Sequence, residues 1–465
     1  SWLLGPDFIQ RSQVYIGNLL TRENRYDGIR MIDDPAFCIA ELVNEPHTPN
    51  VDDPEAPFHQ YYILWLKSEA LPNRAENFQL WRKEYTLDYI NQMCDFLEQL
   101  GCRAPVAWSH KWSMAIRHNG GDAEWLASLA SKVPAVCFST YPTQGTVYNY
   151  VRDAEKDLRK LGMEHNSLPY LQDAYDQRDL QGWANEAAFR NKAHYVYEWE
   201  THANMSSYMY PAMAKYFRAQ GAQIATMWTY ILPGLSNYIA AQHLLNLKSS
   251  PGKSASFIAA GEVFRKTPLY QPYATSGRDE DYSLNVALDF KEQSSAYADD
   301  TILVYSGDMP PRYVEQLLTP ERVARGFDLI RGVGDSPLVQ YDGTGLYFVD
   351  FKPFGEVLVE ILPDCEWLRS PVTGGKMLDA NGEVPSSDDP PYASPQEYYA
   401  IARKYQKQVS NRYITDVEHV MTLAAPNLPS SPKVYRIEGA EFRPVDLLGT
   451  APLRFMAKPG SYRIQ

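Results

Sequence analysis

Two glutamates close strand-like runs in this 465-residue chain. Glu45 follows Ile39-Ala40-Glu41-Leu42-Val43-Asn44 and precedes Pro46; Glu198 follows Ala193-His194-Tyr195-Val196-Tyr197 and precedes Trp199 and Glu200. A pair of carboxylates cleaves a glycosidic bond when one protonates the leaving oxygen and the other attacks or assists at the anomeric carbon. The acid must hold its proton near neutral pH, and both partial burial and a nearby second carboxylate push its pKa that way. Glu200 competes with Glu198 for the attacking role, because side chains two apart on an extended strand face the same way. The plainer reading of either glutamate is a solvated loop residue.

Other chemistries have no matching residues. There is no His-Glu-x-x-His, no Gly-rich phosphate loop and no Gly-x-Ser-x-Gly elbow. The doublets Asp33-Asp34, Asp299-Asp300 and Asp388-Asp389 read as solvated turns rather than calcium sites, so neither a metal nor a cofactor is expected. The net charge of −13 argues against nucleic acid or anionic membrane as a partner, and no apolar stretch is long enough to span a bilayer. Five scattered cysteines exclude a disulfide framework; Cys38 and Cys137 read as small buried residues, and Cys94 and Cys102 as a possible pair. The 33 tyrosines and 10 tryptophans suit a carbohydrate-handling surface, although filling of cores accounts for most of them. The first residues, Ser1-Trp2-Leu3-Leu4, lack the pattern of a signal peptide and read as a cut or processed end.

The elements that must hold the two glutamates alternate. Apolar spacing predicts helices over 6–20, 74–100, 124–132, 150–161, 184–191, 208–219 and 254–264, with Gly101, Gly162 and Gly221 as stops. Between them, strands are expected at 36–43, 105–108, 135–139, 194–198 and 223–228, and a loop from 46 to about 60. Strands alternating with helices imply a parallel α/β sheet with right-handed crossovers, and in a barrel the reactive groups sit at the carboxyl ends of the strands. After Pro268 the period shortens: 282–290, 301–305, 338–341, 346–351, 356–362 and 414–423 read as strands of a small antiparallel β domain. A loop over 370–395 and a helix over 396–405 complete it.

Asn44-Glu45-Pro46 at the end of an apolar strand resembles the acid/base strand of the clan A retaining glycoside hydrolases, the (β/α)8-barrel enzymes related to glycoside hydrolase family 5 and its neighbours. Tyr197-Glu198-Trp199, followed by Ser207-Tyr208-Met209-Tyr210-Pro211, resembles the nucleophile strand and the helix after it. In that pattern the acid/base follows the fourth strand and the nucleophile lies on the seventh, and the strand count between Glu45 and Glu198 agrees. The resemblance implies Glu45 as general acid/base and Glu198, in preference to Glu200, as nucleophile in retaining hydrolysis of a β-linked glycan. It also implies that Asn44 binds the sugar 2-hydroxyl, that Tyr141 hydrogen-bonds the nucleophile, and that Trp228 floors the subsite of the cleaved sugar. Ser139 stands where relatives with a histidine two residues before that tyrosine differ. His110, Trp112 and His47 are candidate subsite linings.

The implied fold is a TIM (β/α)8 barrel of which strands 4–8 are recognisable over residues 1–268 and strands 1–3 are absent from this chain. A C-terminal β-rich, sandwich-like accessory domain over 269–465 would buttress the barrel. Five strands cannot close an eight-stranded barrel, so a further polypeptide segment supplying strands 1–3 is an expected partner beside the oligo- or polysaccharide substrate. A polysaccharide substrate suggests an extracellular or periplasmic, secreted protein. Two other classes stay open: a non-catalytic glycan-binding barrel, and a transglycosylase using the same residues.

Overall fold

The computed structural model describes residues 6–44, 52–108, 133–142, 166–177, 180–201, 206–236, 245–283, 285–367 and 411–465. Glu45, His47, His110, Trp112, the helices expected over 124–132, 150–161 and 396–405, and the loop expected over 370–395 lie outside them. The chain forms two units: residues 1–140, 173–199 and 220–226 in the first, and 141–172, 200–219 and 227–465 in the second.

In the first unit, α1 (Pro6–Thr21) leads to β1 (Ala40–Glu41), α2 (His59–Ser68), α3 (Ala75–Gln99), β2 (Val106–Trp108) and β3 (Ala135–Thr140). Then come α4 (Leu168–Asp176), which runs across the division between units, α5 (Ala187–Arg190) and β4 (Ala193–Trp199). After α6 (Met209–Ala219) of the second unit, β5 (Ala222–Met227) completes a five-stranded sheet in the order β1-β2-β3-β4-β5. All five strands are parallel, as the alternation of strands and helices requires. Each falls within three residues of its expected bounds at either end, except the first, which is only Ala40–Glu41.

The two faces of this sheet bury different side chains. Leu42, Val106 and Trp108 pack with Ile9 and Leu20 of α1 and with Tyr89, Ile90, Met93 and Leu97 of α3. Ala107, Ala135, Cys137 and Tyr197 pack together on the other face, with Ile39, Ala193 and Tyr195 against them. Val106, Ala107 and Trp108 thus alternate sides, as the period of two in a strand demands. The second face is rich in small side chains, which leaves room for the sheet to curl towards it.

α2 was not expected. Its signal was short: Phe58, Tyr62 and Leu66, four apart, bury against Phe78 and Trp81 of α3, with Tyr62 edge-on to Phe78 at 5.1 Å. Burial of Cys137 agrees with its place in a strand, but Cys38 is exposed because β1 starts only at Ala40, and none of the five cysteines is in a disulfide. Among the described residues no helix is long and apolar enough to cross a membrane, and no cluster of His, Cys, Asp and Glu is placed to hold a metal ion.

The second unit contains α6, α7 (Pro233–Ser236), α8 (Pro251–Lys266) and a run of strands: β6 (Glu280–Ser283), β7 (Val286–Asp289), β8 (Ser294–Ala298) and β9 (Ile302–Ser306). Next are α9 (Pro311–Leu317), α10 (Pro320–Arg325), β10 (Leu329–Val333), β11 (Val339–Tyr341), β12 (Tyr347–Phe351), β13 (Val357–Ile361) and β14 (Asp364–Trp367). The chain ends with β15 (Asn411–Ile414), β16 (His419–Leu423), β17 (Val434–Glu438), β18 (Glu441–Val445), β19 (Leu447–Thr450), β20 (Leu453–Ala457) and β21 (Gly460–Ile464).

These strands build a ten-stranded sheet, β18-β17-β21-β13-β12-β10-β9-β8-β7-β6, a four-stranded sheet, β11-β16-β20-β19, and the ribbon β14-β15. Leu303, Ile330, Val349, Val359, Met421 and Phe455 share the core to which both larger sheets contribute. The β domain is therefore larger than expected. It is also not wholly antiparallel: β9 and β10 pair in parallel, with α9 and α10 between them in sequence. The run 282–290 breaks into the antiparallel pair β6 and β7, and 414–423 divides between β15 and β16 of different sheets. Alternation alone does not show where a run turns over. α8 packs on α6 and on β8, β9 and β10, burying the small side chains Ala255, Ser256, Ala259 and Ala260.

Candidate active site

Glu198 is the penultimate residue of β4, and the way β4 pairs with β3 decides where it points. Cys137 faces Tyr195 and Phe138 faces Val196, but Ser139 faces Glu198, so Tyr197 is an extra residue in β4. In an unbroken strand Glu198 would share the side of His194 and Val196. The bulge moves it to the side of Ser139 and Cys137, the concave, small-residue face. Bulges re-aim side chains in this way and recur beside active sites.

Asn44 reaches the same place. Its Nδ2 lies 3.5 Å from Glu198 Oε1, at the long limit of a hydrogen bond. On a flat sheet β1 and β4 are three strand spacings apart, about 14 Å. The loop after β1 and the curl of the sheet together close that gap. Below this level, Cys137 Sγ lies 3.5 Å from Glu41 Oε1, and the hydroxyl of Tyr195 lies 3.1 Å from Thr226 Oγ1. Burial raises the pKa of Tyr195, so its phenol stays protonated inside the curl.

Gln181, in the irregular stretch before α5, ties down the carboxyl end of β3. Its Nε2 donates to Ser139 O at 2.6 Å, and Thr140 Oγ1 donates to its Oε1 at 3.2 Å. Gln220 Nε2 donates to Gln181 O at 3.1 Å, and Asn185 Nδ2 donates to Gln220 Oε1 at 2.8 Å. The register at Ser139, which places Glu198, thus rests on a buried amide network. Neither this network nor the bulge has a signature in local composition, and both were missed by sequence reasoning.

Glu200 occupies a different environment. It is fully buried in the second unit, where its Oε1 pairs with Lys253 Nζ of α8 and accepts from the hydroxyl of Tyr210 of α6 at 2.6 Å. Burial raises its carboxyl above the usual range, while the Lys253 ammonium and the Tyr210 hydroxyl pull it back. Glu198, by contrast, is half-buried. Period-two facing does not extend from Glu198 to Glu200, because β4 ends at Trp199.

Of the remaining expected site residues, Tyr141 follows β3 directly and is buried, and Trp228 follows β5 and is half-exposed. The structure thus brings Asn44 to Glu198. Glu45, His110 and Trp112 lie outside the described residues.

No protein-family profile matches the chain, and no curated protein matches it. Among solved structures it is similar to the endo-1,4-β-mannanase from Rhizomucor miehei, with 15% identity and a TM-score of 0.37 over 57% of this chain and 64% of that one. It is similar to the endo-β-1,4-mannanase from Thermotoga petrophila, with 12% identity and a TM-score of 0.38 over 77% and 69%. A third likeness, to AbfB, a family 51 α-L-arabinofuranosidase from Bifidobacterium longum, has 10% identity and a TM-score of 0.21 over 82% and 62%. The chain thus spans less than two thirds of the first and third of these proteins. Likenesses this remote leave the chemistry to be argued from the residues themselves.

Proposed function

We propose that the chain is a retaining glycoside hydrolase acting on a β-linked glycan, with Glu198 as nucleophile and Glu45 as general acid/base. The observation that carries the reading is the approach of Asn44 to Glu198 on the concave side of a parallel sheet. Two residues far apart in sequence meet at the carboxyl ends of their strands, where barrel enzymes carry out their chemistry. Glu45 is the residue next to Asn44 in the chain.

In the first step Glu198 attacks the anomeric carbon while Glu45 gives its proton to the departing oxygen. A covalent glycosyl-enzyme forms and the leaving alcohol departs neutral. In the second step Glu45, now a carboxylate, takes a proton from water as the water displaces Glu198, which restores both groups. The bulge at Tyr197 and the amide clamp of Gln181 hold the attacking carboxylate in place. Asn44, within reach of Glu198, is assigned to binding the hydroxyl beside the reacting carbon. Tyr141, Trp228, His110 and Trp112 are assigned here to substrate binding. Among the described residues no further strand pairs with the outer edges of β1 and β5, and a further segment that pairs with them would complete a barrel.

The acid/base role has a test independent of the nucleophile. In Glu45→Ala, cleavage of a glycoside with an activated aryl leaving group should persist in its first step, since such a group departs without a proton. Cleavage of an unactivated glycan should fall by about 10²–10⁴-fold. Equal losses on both substrates, measured as kcat/KM, would remove Glu45 from the role.

A further inference from the structure

The bulge that aims Glu198 adds a residue to β4 that has no counterpart on β3, so the ladder on that side does not hold it. The side chain of Thr226, the penultimate residue of β5, supplies a fastening from the other side. Its Oγ1 lies 2.5 Å from Tyr197 O and 3.2 Å from Val196 O. Successive carbonyls of an unbroken strand point to opposite edges, so one hydroxyl reaches two of them only where the strand is bulged. Tyr197 is the extra residue, and its carbonyl takes the shorter bond.

Counting protons gives this contact a direction. A threonine hydroxyl carries one proton and two lone pairs. With the proton given to Tyr197 O, Oγ1 is left as an acceptor, and the Tyr195 hydroxyl lies 3.1 Å from it. Burial keeps that phenol protonated, so it can donate. Two hydrogen bonds therefore run in sequence, from Tyr195 to Thr226 and from Thr226 to Tyr197, and end on the residue before Glu198. Thr226 is itself exposed, so its replacement should change stability little.

On the reading that Glu198 is the nucleophile, we propose that Thr226 is a positioning residue for it. The Thr226 hydroxyl fixes the bulge at Tyr197, Tyr195 orients that hydroxyl, and together they keep the Glu198 carboxylate on the concave face. Without the fastening the bulge is free to shift along β4, and a shift past Glu198 turns its side chain to the side of His194 and Val196. A reacting group displaced by about 1 Å already loses on the order of 10²-fold in rate. The loss should fall on kcat rather than KM, because the groups assigned to substrate binding are untouched.

The test combines steady-state kinetics with amide hydrogen exchange on the full chain and its Thr226→Val, Thr226→Ser and Tyr195→Phe variants. On the glycoside that the wild type cleaves, Thr226→Val should lower kcat by about 10–100-fold with KM within about threefold of the wild type. Thr226→Ser keeps the hydroxyl and should restore kcat to within about threefold, with Tyr195→Phe between the two. Exchange in the peptide covering β4 should quicken in Thr226→Val and not in Thr226→Ser, with both thermal midpoints near that of the wild type. Unchanged kcat in Thr226→Val, or an equal loss in Thr226→Ser, would overturn the proposal. So would a fall in kcat with exchange in β4 unchanged, which would put the hydroxyl against the substrate instead. If Glu198→Gln keeps full turnover while Thr226→Val still loosens β4, the fastening of the bulge stands and the nucleophile reading falls.

Discussion

Glu198→Gln is expected to lose turnover by at least about a thousandfold while remaining folded. The amide cannot displace a leaving group to form a stable glycosyl ester, so the double displacement loses its first bond. It keeps the shape of the carboxylate and one carbonyl oxygen for Asn44 to approach, so the thermal midpoint should stay close to that of the wild type. Binding of the substrate should persist. A non-catalytic glycan-binding protein would show the same binding but no turnover in the wild type, and a transglycosylase would form new glycosides when acceptor is abundant. Steady-state kinetics on the substrate that the wild type cleaves, beside a melting curve of each protein, separate these outcomes. Full turnover in Glu198→Gln would remove Glu198 from the chemistry.

The effect at Glu200 should be the reverse. Glu200→Leu leaves the Lys253 ammonium buried without its carboxylate, and removal of one partner from a buried ion pair costs about 3–5 kcal/mol. Tyr210 also loses the acceptor of its hydroxyl. Lys253→Met should be comparably harmful, because it strands the carboxylate. The double variant Glu200→Leu/Lys253→Met should recover a large part of the loss, since apolar side chains replacing both charges leave neither unpaired. Urea unfolding of the four proteins measures this cycle. If Glu200→Gln instead abolished turnover with stability unchanged, the two glutamates would exchange roles.

The sheet was legible from sequence because its strands carry their own signals. Runs such as Ala135–Thr140 are apolar and β-branched or aromatic. The strand ends were legible for the same reason, and with them the positions of Glu198 and Trp228. The facing of Glu198 was not. It depends on one extra residue at Tyr197 relative to β3, a property of pairing between strands 58 residues apart at Ser139 and Tyr197 that no local pattern encodes. Glu200 looked equivalent to Glu198 because the end of β4 at Trp199 has no local signal, and its partners Tyr210 and Lys253 come from two later helices. In the β domain, alternation located β9, β11, β12 and β13 but could not show which strands pair, so the parallel contact of β9 with β10 was invisible. The carboxyl-terminal strands β17 to β21 were missed; in β18, Glu441-Phe442-Arg443-Pro444-Val445, charges and a proline interrupt the apolar pattern.

The central claim is that Glu198 forms a covalent bond to the sugar. The direct measurement is mass spectrometry of the chain after incubation with a 2,4-dinitrophenyl 2-deoxy-2-fluoro-β-glycoside of the sugar it releases most readily from aryl glycosides. Fluorine beside the anomeric carbon slows breakdown of the glycosyl-enzyme, and the dinitrophenolate leaves without a proton, so the intermediate accumulates. The account predicts one sugar added per chain, with the label on Glu198 in the peptide that carries it. A label on Glu200 or on any other residue would contradict it.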